Sequence, residues 1–251
     1  MPNLPTHFNF AIEIMSELKD PSLDSFVGSY LLGCTTPDIR ARTKWDREYT
    51  HFAPLEVDQV GIGTKALFDA YPDLYDVARV SGETRAFLAG YISHLTADES
   101  WITRVYRPYF HGGLLFDSQM EANISDRAVQ MDMDLNSKNE LGGLEEVLLS
   151  MDHSDAGVQI GFIDHTTLKE WKEWVMDLGQ RPFNWDRLYF MANRMYKDNE
   201  EARSLVENFL MSVPDSLEKV YQKVPREQIN EFKKRAVTAS VQLIKEHLYG
   251  S

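Results

Sequence analysis

The sequence contains only one cysteine, Cys34, among its 251 residues. A single cysteine excludes an internal disulfide, and it also excludes a zinc finger built from cysteine pairs. Any metal site in this chain must therefore use imidazole and carboxylate ligands.

Long apolar runs are also absent from the sequence. A helix that spans a bilayer needs about 20 mostly apolar residues, and the runs here are only a few residues long. The first residues, Met1 to His7, lack the basic start and apolar stretch of a secretory signal. We therefore expect a cytoplasmic protein with no transmembrane segment.

Basic residues are fewer than acidic residues. The chain has 26 Lys and Arg against 39 Asp and Glu, which gives a formal net charge of −13. A surface with this balance repels polyanions, so we expect no binding of extended nucleic acid. A small positive site, such as a metal cluster, is still compatible with a negative exterior.

The remaining composition is that of an ordinary globular protein, with 14 Gly, 10 Pro and 43% hydrophobic residues. Apolar residues recur at helical spacing, and no sustained two-residue alternation occurs, so we predict an all-α multi-helix bundle. We expect one domain over 1–251, with a metal-site half at about 1–151 and packing or lid helices at about 165–251. Residues 34–54 are predicted to form a long irregular connection, and such loops are often functional.

The clearest candidate site lies on a helix predicted over 83–107. His94 and Asp98 are four residues apart on its apolar stripe, so both are expected to face the core. A buried carboxylate must be paired, hydrogen-bonded or bound to a metal. A His and an Asp at this spacing can hold one metal ion, although, for the pair taken alone, an internal His–Asp hydrogen bond is the simpler explanation.

Three further residues strengthen the metal interpretation. His7 lies on the apolar stripe of the first helix, where a buried structural histidine is the alternative. Asp38 follows Pro37 and can also be read as a turn or capping residue. His51 lies in the polar 34–54 segment, where it can simply be exposed. Together with His94 and Asp98 they make three imidazoles and two carboxylates, a set that suits zinc.

These residues occur in an ordered set of short segments, and the set resembles zinc-dependent phospholipase C and the single-strand-specific zinc nucleases. The resemblance covers about residues 5–101, and its segments are Thr6–His7, Gly33 to Ile39, Thr50 to Phe52, and Phe87 to Asp98. It implies an all-α bundle with a zinc cluster in a cleft. It also implies hydrolysis of phosphodiester bonds.

The resemblance also implies a role for each residue. Asp38, His51, His94 and Asp98 would bind one metal, and His7 would bind a second that Asp98 bridges. Asp38 would also orient or deprotonate the attacking water. We therefore expect one or two Zn²⁺ ions, with a small phosphoester or a phospholipid headgroup as substrate.

The chain departs from the family pattern in two respects. The N-terminal tryptophan that ligates zinc in secreted members is missing, and Arg104 stands where the family's next histidine ligand is expected. No HxxxE pair occurs either. His111, His153 and His165 are displaced candidates, each more simply read as a surface or capping residue.

Other polar groups carry less weight. Arg104 and Arg107 are candidates for contact with a substrate phosphate, although they can equally pair with acids on neighbouring helices. The acidic run Met131–Asp134 is expected to be a solvated helix face.

Two other functions stay open from the sequence. The same ligands can hold iron or manganese for redox chemistry in a helical bundle. Alternatively, the chain is a non-catalytic helical binding module in which the five residues form hydrogen bonds or hold a structural metal. The oligomeric state is left open.

Overall fold

The computed structural model describes residues 3–76 and 79–250, and within these ranges the chain is helical with no β-strand. The all-α prediction is therefore confirmed. The α-helices of this part are α1 (Leu4–Leu18), α2 (Pro21–Ser25), α3 (Val27–Gly33), α4 (Arg40–Thr43), α5 (Arg47–His51), α6 (Ile62–Ala70), α7 (Gly82–Trp101), α8 (Gln119–Glu140), α9 (Glu145–Ser150), α10 (His165–Gln180), α11 (Arg187–Tyr196), α12 (Glu200–Leu210), α13 (Val213–Lys223) and α14 (Arg226–Ile244).

Shorter helical turns connect some of these helices. Three are 3₁₀-helices, at Thr36–Ile39, Pro72–Tyr75 and His111–Gly113, and two are π-helical segments, at Ile102–Phe110 and Lys245–Tyr249. Among the described residues, no helix combines the length and the apolar character that crossing a bilayer requires.

Helix α7 is the central element of the fold. Its first turn is capped by the Ser81 hydroxyl, which accepts a hydrogen bond from the backbone N–H of Thr84. Helices α1, α3, α6 and α14 all pack against it, so every residue from Ala86 to Trp101 is buried. A helix covered on all sides buries its polar residues too, and these must then find partners inside the protein.

Helix α3 lies unusually close to α7 because two glycines line the crossing. A methyl group at Gly33 would overlap the carbonyl oxygen of Phe87, and one at Gly90 would overlap that of Tyr30. The absence of side chains at both positions lets the two backbones approach. This approach brings the end of α3, and the residues that follow it, beside the middle of α7.

The 34–54 segment differs from the prediction of an irregular connection, because the 3₁₀-helix at Thr36–Ile39 and helices α4 and α5 occupy most of it. Two hydrogen bonds hold this segment against the C-terminal half of the chain. The Trp171 indole donates to the Thr35 hydroxyl over 3.1 Å, and the Tyr49 hydroxyl donates to the Phe162 carbonyl over 2.9 Å. The main hydrophobic core is continuous across both halves, from Phe8 in α1 to Leu248. The division into a metal-site half and a packing or lid half stays a prediction.

Candidate metal centre

Helix α7 supplies the centre of the site. His94 and Asp98 are 0% and 1% exposed, and His94 Nε2 lies 3.7 Å from Asp98 Oδ2. Their four-residue spacing places both side chains on one face of the helix, as the sequence predicted.

Helix α1 brings His7 to the other side of the same carboxylate. His7 Nε2 lies 3.7 Å from Asp98 Oδ1, and its ring stacks on that of His94 with 3.8 Å between centroids. The start of α1 is fixed by Asp134 of α8, which accepts hydrogen bonds from the Thr6 hydroxyl and the Asn3 amide. Because Thr6 directly precedes His7, this contact also positions the imidazole.

The segment between α3 and α6 supplies the remaining two groups. His51 ends α5, and its Nε2 lies 3.2 Å from Asp98 Oδ2 and 3.8 Å from Asp38 Oδ1. Asp38 stands on the 3₁₀-helix Thr36–Ile39 and is the most exposed member, with 41% of its side chain accessible. The three histidines and Asp98 are nearly inaccessible, so the cluster opens to solvent on the Asp38 side.

Backbone and hydroxyl groups orient two of the imidazoles. His94 Nδ1 lies 2.8 Å from the Cys34 carbonyl oxygen, which only accepts, so Nδ1 carries the proton and Nε2 presents a lone pair. His51 Nδ1 lies 3.1 Å from the Thr50 hydroxyl, and the Tyr91 hydroxyl in turn donates to the Thr50 carbonyl. Such partners on the far nitrogen are typical of metal-ligating histidines.

Burial keeps the imidazoles of α1 and α7 neutral. Burial and then the neighbouring His94 lower the pKa of His7 to about 3. Burial also lowers the pKa of His94 to about 4, although Asp98 opposes the shift. Burial alone would raise the pKa of Asp98, but His94, His51 and Arg47 together outweigh it and hold that pKa well below its usual range. Two neutral imidazoles beside a carboxylate are the protonation states that a metal ion requires.

The cluster also contains buried polar atoms without partners. Within the described residues no hydrogen bond reaches His7 Nδ1 or Nε2, His51 Nε2, His94 Nε2 or Asp98 Oδ1. Buried nitrogens and oxygens are rarely left unpaired, so several in one place call for a group that satisfies them.

The spacing of these atoms fits a metal ion. Ligand atoms held about 2.0–2.2 Å from one tetrahedral ion lie roughly 3.3–3.6 Å from each other. The separations from His51 Nε2 to Asp98 and to Asp38, and from His94 Nε2 to Asp98, are 3.2, 3.8 and 3.7 Å. Two sets have all their ligand atoms within 4.8 Å of one another, namely His7, His94 and Asp98, and Asp38, His51 and His94. All five residues predicted from the sequence thus converge, and they can hold a metal ion.

The displaced histidine candidates do not join the cluster. His111, His153 and His165 are all exposed, and none belongs to a metal-competent group among the residues that the structure describes. His165 and His153 lie beside Asp155 and Asp152, each 3.7 Å away.

The structure corrects the prediction of a solvated acidic helix face, and it places a different arginine at the cluster from the ones that the sequence suggested. The acidic run Met131–Asp134, expected to be a solvated helix face, is buried instead, and Asp132 and Asp134 are 9% and 1% exposed. Asp132 accepts a hydrogen bond from the Tyr221 hydroxyl, and Asp134 accepts one from the Thr6 hydroxyl at the start of α1. Arg107 donates to the Val57 carbonyl. The arginine at the cluster is instead Arg47, whose Nη2 lies 3.3 Å from Asp98 Oδ2. Its four-residue spacing from His51 was the available signal, and it has meaning only if 47–51 is a helix.

Glu99 follows Asp98 on α7 and holds the start of α6 against the end of α5. Its carboxylate accepts hydrogen bonds from the backbone N–H groups of Gly61 and Gly63, over 2.5 and 2.6 Å. Burial raises the pKa of Glu99 to about 7, although these two hydrogen bonds oppose the shift. Gly63 packs against the backbone carbonyl of His51, so Glu99 holds the segment that covers the end of α5.

Comparison of the chain with family models, with curated proteins and with solved structures gave no match.

Proposed function

We propose that this protein is a zinc-dependent hydrolase of phosphoester bonds, built as a helical bundle of the phospholipase C and zinc nuclease type and acting in the cytoplasm. The observation that carries the proposal is the convergence of three histidines and two aspartates around buried, unpartnered Nε2 and carboxylate atoms. The resemblance of the ordered segments to that family supports the choice of reaction.

The two carboxylate oxygens of Asp98 divide the ligands into two unequal sets. Oδ2 faces His51 and His94, with Asp38 next to His51, whereas Oδ1 faces only His7. We therefore propose that Asp38, His51, His94 and Asp98 would hold one ion, and that His7 and Asp98, with His94 next to both sets, would hold a second ion more weakly. Zinc bound here would supply positive charge and an acidified water, which is the chemistry that phosphoester hydrolysis needs.

Asp38 is the residue that we assign to proton transfer. It is the member of the cluster nearest to solvent, and its Oδ1 faces His51. Among the described residues its other carboxylate oxygen has no hydrogen bond or ion pair, so this oxygen could accept a proton from an incoming water. Arg47 and the three histidines are all more deeply buried than Asp38.

The limited opening favours a small substrate. Only the Asp38 side of the cluster reaches solvent, and the chain as a whole carries a net charge of −13. An extended polyanion would be repelled by the exterior, whereas a small phosphoester or a single phospholipid headgroup brings one phosphate to the opening.

Metal analysis combined with a generic hydrolysis assay tests this function. Protein purified without added metal is analysed for zinc, and hydrolysis of bis-nitrophenyl phosphate is measured for the wild type, His94→Ala and Asp98→Asn. We expect both variants to lose zinc and to lose hydrolysis by about 100-fold or more, since even partners of ligands cost 10- to 100-fold. His153→Ala and Asp152→Asn, exposed residues of the same types, serve as matched controls that keep both properties.

Two other results would replace the proposal. Stoichiometric iron with an absorption band would indicate a redox centre on the same ligands. Unchanged metal content and thermal stability in both variants would show that these residues do not form the metal site, and would leave a non-catalytic helical binding module.

A further inference from the structure

Arg47 carries hydrogen-bond donors that the protein does not use. Its side chain is 10% exposed, and its Nη2 binds Asp98 Oδ2. Its Nε and Nη1 are buried, and no acceptor within the described residues reaches them. A guanidinium has five N–H donors, and three of them belong to these two nitrogens. A buried arginine that is only partly paired has room for a second acidic group.

Helix α5 holds this guanidinium beside the proposed ligands. Arg47 begins α5 and His51 ends it, so the four-residue spacing puts both side chains on one face. Both reach the same atom, Asp98 Oδ2, at 3.3 and 3.2 Å. A group bound against His51 and Asp98 would therefore lie beside the guanidinium of Arg47, whose Nε and Nη1 have no acceptor among the described residues.

The charge balance of the site points to an anion. A single dication would only balance the two carboxylates of Asp38 and Asp98. Arg47 adds one positive charge beside them, with its Nη2 3.3 Å from Asp98 Oδ2. This charge favours an anion at the site, inside a protein whose net charge is −13.

We propose that Arg47 binds the phosphate group of the substrate through Nε and Nη1 while its Nη2 stays on Asp98. The guanidinium fork matches phosphate oxygens, and its positive charge strengthens each hydrogen bond. This inference rests on the proposed function and names the group that the site recognises. That group is an anionic phosphate, which can be free, part of a soluble ester or part of a lipid headgroup.

Binding measurements on the zinc-loaded protein test the proposal without relying on turnover. Inorganic phosphate, dimethyl phosphate and phosphatidylcholine vesicles are titrated into the wild type, Arg47→Gln and Arg47→Lys, and zinc content is measured in parallel. Arg42→Gln removes the same charge from an exposed position of the neighbouring helix α4 and is the matched control. The three probes separate free phosphate, a soluble diester and a headgroup in a membrane.

We expect Arg47→Gln to keep its zinc and to bind at least one of the probes about tenfold more weakly or worse, with no change for Arg42→Gln. Arg47→Lys should lie between the two, because it keeps the charge but loses the fork. If Arg47→Gln folds poorly, the same comparison is made with Arg47→Lys alone.

Equal affinity for all probes in wild type and zinc-bearing Arg47 variants would overturn the inference and leave the proposed function intact. Tighter zinc binding by Arg47→Gln with unchanged phosphate affinity would also overturn it, since Arg47 would then be only a counter-ion of Asp98. Failure of the wild type to bind zinc at all would instead remove the proposed function.

Discussion

The rings of His7 and His94 stack face to face, with 3.8 Å between their centroids and 9° between their planes. Two positively charged imidazoles would repel each other at this distance, and burial already disfavours the charge, so both rings are neutral. Both imidazoles of the stack are therefore in the neutral form, which is the form that binds a metal.

This stack makes the metal-free protein sensitive to acid. The pKa values of His7 and His94 are about 3 and about 4 when folded, against 6.5 for ordinary histidine. Between about pH 6.5 and 4 the unfolded chain binds the extra protons, so the free energy of unfolding falls as pH falls. We expect each histidine to account for about 2 kcal/mol of the loss between pH 7 and pH 5.

Urea unfolding of the metal-free protein at pH 7 and pH 5 checks this expectation. His7→Gln should lose clearly less stability between the two values than the wild type, whereas exposed His153→Gln should follow the wild type. If the unfolding free energy of His7→Gln falls as much between pH 7 and pH 5 as that of the wild type, His7 is not held in a buried, neutral state.

Asp134 gives a pH dependence of opposite sign. Burial raises its pKa to about 6, although Thr6 and Asn3 oppose the shift by donating hydrogen bonds. The folded protein holds this proton more tightly than the unfolded chain does. The contribution of Asp134 to the free energy of unfolding is therefore full below pH 3.8, and it is lost as pH rises through about 6.

Asp134→Asn should remove this loss, about 2 kcal/mol between pH 4.5 and pH 7, because the amide does not ionise. Asp152→Asn, at an exposed aspartate, is the control. The variant should keep its zinc, since Asp134 holds the start of α1 and does not face the cluster. A pH profile that superimposes on the wild type would contradict the buried, protonatable state of Asp134.

The close crossing of α3 and α7 predicts the effect of a single methyl group. Gly90→Ala would overlap the backbone carbonyl of Tyr30, which cannot move without shifting α3 and, with it, the Cys34 carbonyl that orients His94. We expect a loss of about 1–3 kcal/mol or more in unfolding free energy, together with weaker zinc binding. Gly179→Ala in α10 is the control, because its methyl would meet only the flexible end of Leu148. Equal effects of the two substitutions on stability would argue against the crossing.

A substitution of Glu99 should destabilise the segment at Gly61 and Gly63, which packs against the backbone of His51. Glu99→Gln leaves one carbonyl oxygen for the two backbone donors of Gly61 and Gly63, so one N–H loses its acceptor. We expect the unfolding free energy to fall by about 1–3 kcal/mol, as urea titration at pH 8 would measure. Glu56→Gln changes an exposed residue in the same way and should have little effect. No difference between the two variants would mean that Glu99 does not hold this segment.

The sequence was sufficient for the helical class and for the five residues of the cluster. His94 and Asp98 could be paired because a four-residue spacing on one helix is local information. His7, Asp38 and His51 could be chosen as residue types, but their convergence depends on how α1, α3 and α7 pack. The close approach of α3 to α7, which Gly33 and Gly90 permit, is a tertiary feature without a local signal.

The missed residues have similar causes. Arg47 has no local signal when residues 34–54 are predicted to be irregular, because its four-residue spacing from His51 has meaning only on a helix. The acidic run Met131–Asp134 predicts a solvated face from its residue types alone. The burial of Asp134 depends on the start of α1, which lies far away in the sequence.

A crystal structure of the zinc-loaded protein, with anomalous diffraction recorded at the zinc edge, tests the central claim most directly. We predict a strong peak about 2.0–2.2 Å from His51 Nε2, His94 Nε2 and a carboxylate oxygen of Asp98, with a weaker or absent second peak beside His7. A protein that takes up zinc but shows its anomalous peak elsewhere, with these five side chains unbound, would contradict the account.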